Sequence, residues 1–387
     1  MKRVLIIGGY GNFGSYIARA LAADPTICLL IGGRSQAKAE AFASSLKAAS
    51  PAEGCVVDID GDILHRLSKI RPDIVIHTTG PFQRQDYRVP RSAIAAGAHY
   101  IDLADARHFV AHIFELDAEA KAAGVAVVSG ASSVPCLTAA FIDHYRPHFS
   151  KIESAIYGIA AAQATNRGLG TAAAVLGYAG KPFTVLSGCR PKRVFGWQGL
   201  HMVRYPELGL RLFGYCDIPD LDLFPARYPG LSELRFAAGH EVKLLHLGTW
   251  FLSWLVRLGL VESLEPYAGR LLRLSFLFDA LGSDKSGFHM FLSGPGHEGE
   301  PKAIRIFMAA RQGHGPNIPC LPAIILARRM ASGEGPRPGA RPCLDLVGLT
   351  ELLTAMADLD ITTTARGPGV DDCWQGHHAQ NLATTPA

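Results

Sequence analysis

Val4-Leu5-Ile6-Ile7, then Gly8-Gly9-Tyr10-Gly11-Asn12-Phe13-Gly14, then Ser15-Tyr16-Ile17-Ala18-Arg19-Ala20-Leu21 stand at the amino end of this chain. A short apolar run feeds a Gly-x-Gly-x-x-Gly turn, and the turn opens an apolar-periodic helix. That order is what a dinucleotide site requires. Gly9 is expected to permit the tight turn and Gly11 to let backbone approach a pyrophosphate. Gly14 is expected to let the helix pack against the strand with its N–H groups aimed at the anion. With 41 glycines in the chain a bare triplet would carry little weight, so the flanking strand and helix decide the reading.

The next apolar run, Ile27-Cys28-Leu29-Leu30-Ile31, ends in Gly32-Gly33-Arg34-Ser35. NAD sites of this kind carry an acid at that strand end to bond the ribose 2′-hydroxyl. Here Arg34 stands instead, with Ser35 beside it and Lys38 one helical turn on. A guanidinium fork matches a phosphate, so the sequence points to NADP. The other reading of Arg34 is a solvated loop arginine. Tyr10, Asn12, Phe13 and Asp58, the last at the end of the third strand run, complete the expected cofactor contacts on this side.

Strand and helix signals alternate through the first third. Helices are expected over 36–46, 63–70, 87–96 and 108–123, and strands over 55–58, 73–79, 99–103 and 125–129. Alternation of this kind implies an α/β, doubly wound parallel sheet of Rossmann type over 1–150, with ligands beyond the carboxyl ends of the strands. Residues 151–314 suggest a second α+β domain with a mostly antiparallel sheet, with strands near 153–160, 184–186, 194–195 and 303–309. Residues 315–357 return to helix, broken at Gly333–Pro338, and are expected to complete the first domain. From Arg366 the chain reads as a flexible polar tail.

Composition narrows the class. The chain has 387 residues, 48% apolar and 19% charged, enough for two buried cores and contrary to disorder. A net charge of +4 with no dense basic block gives no support for nucleic acid. The eight cysteines form no Cys-x-x-Cys pair, so they read as reduced thiols of a cytoplasmic protein and not as zinc ligands. Lys2-Arg3 precedes only four apolar residues, too few for a signal peptide.

Leu244–Val261 is strongly apolar, but shorter than a membrane span and marked by His246 and Arg257. Its polar residues, His246, Thr249, Ser253 and Arg257, recur at helical spacing opposite Leu247, Phe251, Trp254, Leu258 and Val261. The apolar stripe is expected to face the domain core or a homodimer interface, with interfacial membrane attachment as the alternative.

Candidate chemistry clusters after the strands. Thr79-Gly80-Pro81-Phe82 should lie beside the nicotinamide ribose, and Arg84 is a candidate clamp for a substrate carboxylate. Arg88 and Arg91 read as surface residues. Asp102 is a proton-acceptor candidate, and Asp105 either shares that role or caps the following helix. Ser132 is a further catalytic candidate, and Ser133 is placed to cap a helix expected to begin near Pro135. Cys136 at that helix start supports a competing reading, a semialdehyde-type dehydrogenase with a thiolate nucleophile. His108 and His112 share a helix face without a third ligand, so no metal is expected. No Tyr-x-x-x-Lys pair occurs anywhere in the chain.

Gly9–Gly14, Gly33-Arg34, Gly80-Pro81-Phe82, Gly97-Ala98-His99-Tyr100-Ile101-Asp102 and Gly130–Pro135 together resemble the saccharopine dehydrogenase-like oxidoreductases over roughly the first 140 residues. Gly315-Pro316 and Ala327-Arg328-Arg329 are similar to the carboxyl-terminal return of that family. The resemblance implies an NAD(P)-dependent oxidoreductase acting on C–N bonds or on enoyl groups of a small or lipid-like substrate. It places Gly9, Gly11, Gly14 and Arg34 on the cofactor, and Asp102 at the family's strand-end acid. Two departures stand out. Ala104-Asp105 replaces the usual Gly-Glu, and Ser132 stands where many members carry an Asp. That second loss motivates the other functional class, an NADPH-binding sensor or scaffold without turnover. The second domain is expected to select the substrate and supply the proton donor, with Arg167, His201 and Arg204 as candidates.

Overall fold

The computed structural model describes residues 1–376. In chain order the elements are β1 Lys2–Ile7, α1 Asn12–Ala22, β2 Ile27–Gly33, α2 Gln36–Ser45, β3 Glu53–Val56, α3 Ile63–Ile70, β4 Ile74–His77, α4 Arg88–Ala95, β5 His99–Asp102, α5 Arg107–Ala111, α6 Asp117–Ala122, β6 Ala126–Ser129 and α7 Thr138–Tyr145. There follow β7 Ser154–Ala161, α8 Leu169–Tyr178, β8 Pro182–Ser187, β9 Arg190–Phe195, β10 His201–Tyr205, β11 Gly209–Tyr215, α9 Asp220–Arg227, β12 Glu233–His240, α10 Lys243–Arg257 and α11 Ala268–Ser275. The chain closes with β13 Ser286–Pro295, β14 Pro301–Ala310, α12 Leu321–Ser332, β15 Gly339–Pro342, α13 Leu349–Ala355, β16 Ile361–Gly367 and β17 Val370–Gln375.

Two compact units result, one of residues 1–140 and 317–352, the other of 141–316 and 353–376. The chain crosses between them inside α7, ten residues before the position expected from sequence. The first unit is a seven-stranded sheet in the order β15-β6-β5-β4-β1-β2-β3, parallel at every pairing. Its strands are fully buried apolar runs, as in β2, where all seven residues are inaccessible. The chain runs outward from β1 to β3, then returns to the other side of β1 as β4. That reversal opens a crevice past the ends of β1 and β4, where sheets of this kind take ligands. Leu5, Ile7, Val75, Tyr100 and Val127 form the core beneath one face, with Leu67, Val89 and Leu116 from the covering helices.

Several expectations need correction here. The third strand ends at Val56, so Asp58 lies in the following turn. The helix expected over 108–123 is two helices, because residues 113–116 tighten into a 3-10 turn that buries Ile113 and Leu116. The segment after Gly333–Pro338 is not purely helical. Residues 339–342 form a seventh strand beside β6, too short to show an alternation.

The second unit is a ten-stranded sheet in the order β10-β11-β12-β7-β13-β14-β16-β17, with β8 attached to β12 and β9 to β8. Only β12 and β7 run parallel. Residues 366–375, expected as tail, belong to β16 and the edge strand β17, paired from Thr362–Gln375 to Gly367–Val370. An edge strand exposes Asp371, Asp372 and Cys373 to water, so its composition reads as a polar tail. The rest of that expected tail, 377–387, lies outside the described residues.

Of the placements expected for the apolar stripe of α10, the domain core does not hold for most of it, whereas the interface and membrane placements both leave it exposed. His246 and Ser253 are buried, while Leu244, Leu247, Phe251 and Leu258 are exposed. The polar stripe finds partners inside. Gln198 donates to the Ser253 hydroxyl at 3.5 Å, Arg257 donates to Gln198 Oε1 at 2.5 Å, and the Trp197 ring lies 5.2 Å from His246. Specific polar contacts and close packing therefore outweigh the burial of the larger apolar face.

Candidate cofactor and active site

The glycine turn is shaped by what surrounds it. The positive φ falls at Gly8 (82°) and not at Gly9, so the sharp reversal comes one residue earlier than expected. At Gly14 a Cβ would stand 2.2 Å from the Gly8 carbonyl oxygen, so only glycine lets α1 come this close to the end of β1. The helix begins at Gly11 with no side-chain cap and no acid in its first turn. Its amino end thus presents backbone N–H groups and the positive end of the helix dipole to an anion.

The end of β2 gives the second anchor. Arg34 is exposed and, among the described residues, no ion pair engages it. Ser35 caps α2 by accepting from the Lys38 N–H at 3.4 Å, and its own N–H donates to the Tyr10 hydroxyl at 3.2 Å. Tyr10 therefore folds from the glycine turn over Gly33, where a Cβ would stand 2.3 Å from its ring. Sequence reading placed Tyr10 on the cofactor but gave no sign of this contact, because the two residues meet only through strand order. Asp58 accepts from the Asp60 N–H at 3.2 Å and shapes the loop beyond β3. These groups fit a dinucleotide with a further phosphate on its ribose: a cradle that only glycines leave open, an uncapped helix start and a cation at the ribose end.

Across the crevice, Thr78 binds the end of β1 twice, its N–H and hydroxyl both donating to the Ile7 carbonyl at 3.0 and 2.9 Å. Gln85 fixes the Gly80-Pro81 turn by donating to the Thr79 and Pro81 carbonyls at 2.7 and 3.1 Å. Phe82 is buried, 4.9 Å from the His77 ring and 5.4 Å from Phe109. It packs the base of the turn and does not stand open to a ligand. Arg84 lines a hollow with Ile59, Asp60, Gln85, Asp86, Arg88 and Val89, between the loops that follow β3 and β4. That places it beside the loop after β3. Arg88 is held by both oxygens of Asp86, and Arg91 pairs with Glu119 at 3.4 Å.

Asp102 and the β6 loop do come together. Oδ1 of Asp102 accepts from the Ser129 hydroxyl at 3.0 Å, the Gly130 N–H at 2.8 Å and the Ala104 N–H at 2.9 Å. Its Oδ2 is buried without a partner. Burial pushes its pKa up to about 6, against the pull of the bonds from Gly130, Ala104 and Ser129. A carboxyl with one oxygen saturated and the other bare can hold a proton near neutral pH. Behind it the Tyr100 hydroxyl stands 3.0 Å from Nδ1 of His77. Burial drives His77 down to about 3, so it is neutral. Sequence reading passed over His77 and Tyr100, although they are the polar atoms in otherwise apolar strands. Ser132 is buried, and its N–H donates to the Gly130 carbonyl at 2.8 Å.

Other candidates separate. Asp105 is exposed and accepts from Gln83 at 3.2 Å, while the N-cap position of α5 is Ala106, with no side-chain cap, so Asp105 does not cap that helix. Cys136 is buried in a wide turn over Ser133–Leu137, and regular helix starts only at Thr138. The Cys343 thiol packs on it, its pKa raised by that thiol contact and by burial. A buried thiol with a second thiol against it lacks the electropositive, accessible setting of a nucleophile. His108 and His112 lie one helical turn apart, rings 4.3 Å between centroids, and among the described residues no three metal-ligating side chains gather. In the second unit Arg167 pairs with Asp279, and Nδ1 of His201 lies 2.9 Å from the Gly199 carbonyl. Arg204 is exposed.

Comparison with known proteins agrees with this geometry. Residues 4–128 match the family model described as the saccharopine dehydrogenase NADP binding domain. No curated protein matches the chain by sequence. Among solved structures, apo saccharopine dehydrogenase (L-Glu forming) from Saccharomyces cerevisiae is 13% identical with a TM-score of 0.64, covering 94% of this chain and all of that one. An amine dehydrogenase from Mycobacterium smegmatis is 14% identical with a TM-score of 0.47, covering 87% of this chain and 94% of that one. The first of these likenesses shows a shared fold through both units. The amino-terminal third of the chain is thus similar to the NADP-binding domain of saccharopine dehydrogenases.

Proposed function

We propose that the chain is an NADPH-dependent oxidoreductase acting on a C–N or C=C bond of a small or lipid-like substrate. The observation that carries this reading is the end of β2, where among the described residues no acid pairs with Arg34, next to the Tyr10–Ser35 contact and one strand from the glycine cradle. A guanidinium there favours a ribose phosphate, and an acid would repel one. The reduced dinucleotide supplies the hydride when bound. The chain's residues orient it: α1 and the glycines take the pyrophosphate, Arg34 and Ser35 the ribose phosphate, and the Thr79–Pro81 turn the nicotinamide end. Arg84 is assigned to the adenosine side, on the strength of the hollow it shares with Ile59 and Asp60. Asp102 is the proton-holding group, and Ser132 lies in the loop that binds it.

Titration of the purified protein with NADPH and with NADH tests the cofactor reading. NADPH is expected to bind more tightly. Arg34→Ala should weaken it about tenfold to about a hundredfold, the worth of a charged hydrogen bond, while changing NADH little. Equal or tighter binding of NADH to the unmodified protein would overturn the role of Arg34. Following NADPH absorbance over a panel of imines, amino acids and enoyl thioesters then separates turnover from binding without turnover.

A further inference from the structure

Among the described residues, the outward face of α10 has no partner within its own unit. The helix is fixed by its inward stripe, and Gly180 comes so near that a Cβ there would stand 2.2 Å from the Ser253 carbonyl oxygen. Leu252 and Val256 join Leu176, Ala179, Trp197 and Leu264 inside. Outside, Leu244 is 60% exposed, Phe251 60% and Leu258 66%, one every seven residues along a single line. An apolar surface of this kind marks an interaction site on a folded protein.

The chain segments that form this face are rich in basic residues and poor in acids. No Asp or Glu occurs from 242 to 261, while Lys243 and Arg257 mark the two ends of α10. None occurs from 154 to 206 either, a stretch that carries Lys181, Arg190, Lys192 and Arg193, all exposed. The two regions meet at Phe195, whose ring lies 4.0 Å from the Arg257 guanidinium and 5.5 Å from that of Arg193. Glu262 is exposed beyond the end of α10, and Glu233 lies at the β8–β9 turn, accepting from the Ser187 hydroxyl and the Gly188 N–H at 3.4 Å. Glu241 is engaged inside, accepting from Arg211 and from Ser283.

We propose that this face docks on an anionic lipid bilayer, with α10 lying along the interface, Phe251 and its neighbouring leucines among the acyl chains, and the β9 basic residues on the headgroups. An apolar line between cationic ends is the pattern of a surface-seated helix. At 15 residues α10 cannot span, and among the described residues no helix is long and apolar enough to cross a membrane. A second copy of the chain fits less well. A two-fold contact sets a patch against itself, and here that would oppose the Arg190–Arg193 rims with little acid to meet them.

Flotation of the full chain with vesicles tests this, using phosphatidylcholine alone and phosphatidylcholine mixed with phosphatidylglycerol. The protein is expected to float with the mixed vesicles and not with the neutral ones. Phe251→Glu should abolish flotation, and the pair Lys192→Glu, Arg193→Glu should weaken it by about tenfold or more. These side chains are exposed, so the thermal midpoint and NADPH affinity of each variant should stay unchanged. That also keeps the result separate from the oxidoreductase reading. Failure to float with either vesicle, equal flotation with both, or flotation indifferent to both variants overturns the proposal. So does a solution dimer that Phe251→Glu dissociates, which would give the face to a second copy.

Discussion

Asp102 offers the most discriminating test. Its carboxyl moves from 3.8 to about 6 on folding, chiefly through burial. A shift of about two units corresponds to about 3 kcal/mol. The folded chain binds this proton more tightly than the unfolded one, so the contribution of Asp102 to stability is complete below about pH 4 and is lost as pH rises through about 6. Asp102→Asn removes the titration. Its carboxamide oxygen can still accept from Ala104, Gly130 and Ser129, as Oδ1 does. The unmodified protein should therefore lose about 3 kcal/mol relative to Asp102→Asn between about pH 4 and pH 8. All four tryptophans, 197, 250, 254 and 374, lie in the second unit, so their fluorescence would follow the other half of the chain. Amide exchange in peptides covering β5 and β6, compared between the two proteins at each pH, reports the right region. Stability curves that run parallel across this range would refute the argument. Asp102→Ala should behave differently, stranding up to three donors at about 1–3 kcal/mol each at any pH.

Three further outcomes follow from the site. Gly14→Ala brings a methyl to 2.2 Å from the Gly8 carbonyl oxygen, so α1 must move and NADPH affinity should fall about tenfold or more at a cost of roughly 1–3 kcal/mol, read by calorimetry. If turnover is found, kcat should show a limb near pH 6 that Asp102→Asn abolishes while leaving NADPH affinity intact. Mild alkylation with mass mapping should label the exposed Cys189 and Cys373 first and reach the buried Cys136 and Cys343 only on unfolding, whereas fast labelling of Cys136 would revive the thiol nucleophile.

Legibility differed sharply between the units. In the first, buried parallel strands are unbroken apolar runs, and the glycine turn sits between one of them and an amphipathic helix, so strand, turn and helix could be placed from local pattern. The second unit hides its strands. β12 carries Gly239 and His240, and β13 carries Ser286, Gly287 and His289, all compatible with a strand only because neighbours across the sheet accept them. At Gly158, opposite His289, a Cβ would stand 2.8 Å from the imidazole, so the histidine fits only beside a glycine 131 residues away.

What the sequence settled by itself was chemistry within one turn of chain: the glycine cradle, the cation in place of an acid after β2, and the acid ending β5. Those depend on residues that are neighbours along the backbone. Tertiary structure alone decided that Tyr10 reaches Ser35, that Asp102 is walled in by the β6 loop, and that α10 turns its polar stripe inward. Each of these is a choice between competing burials. Such choices are made by the partners that folding delivers from distant parts of the chain, and no local periodicity records them.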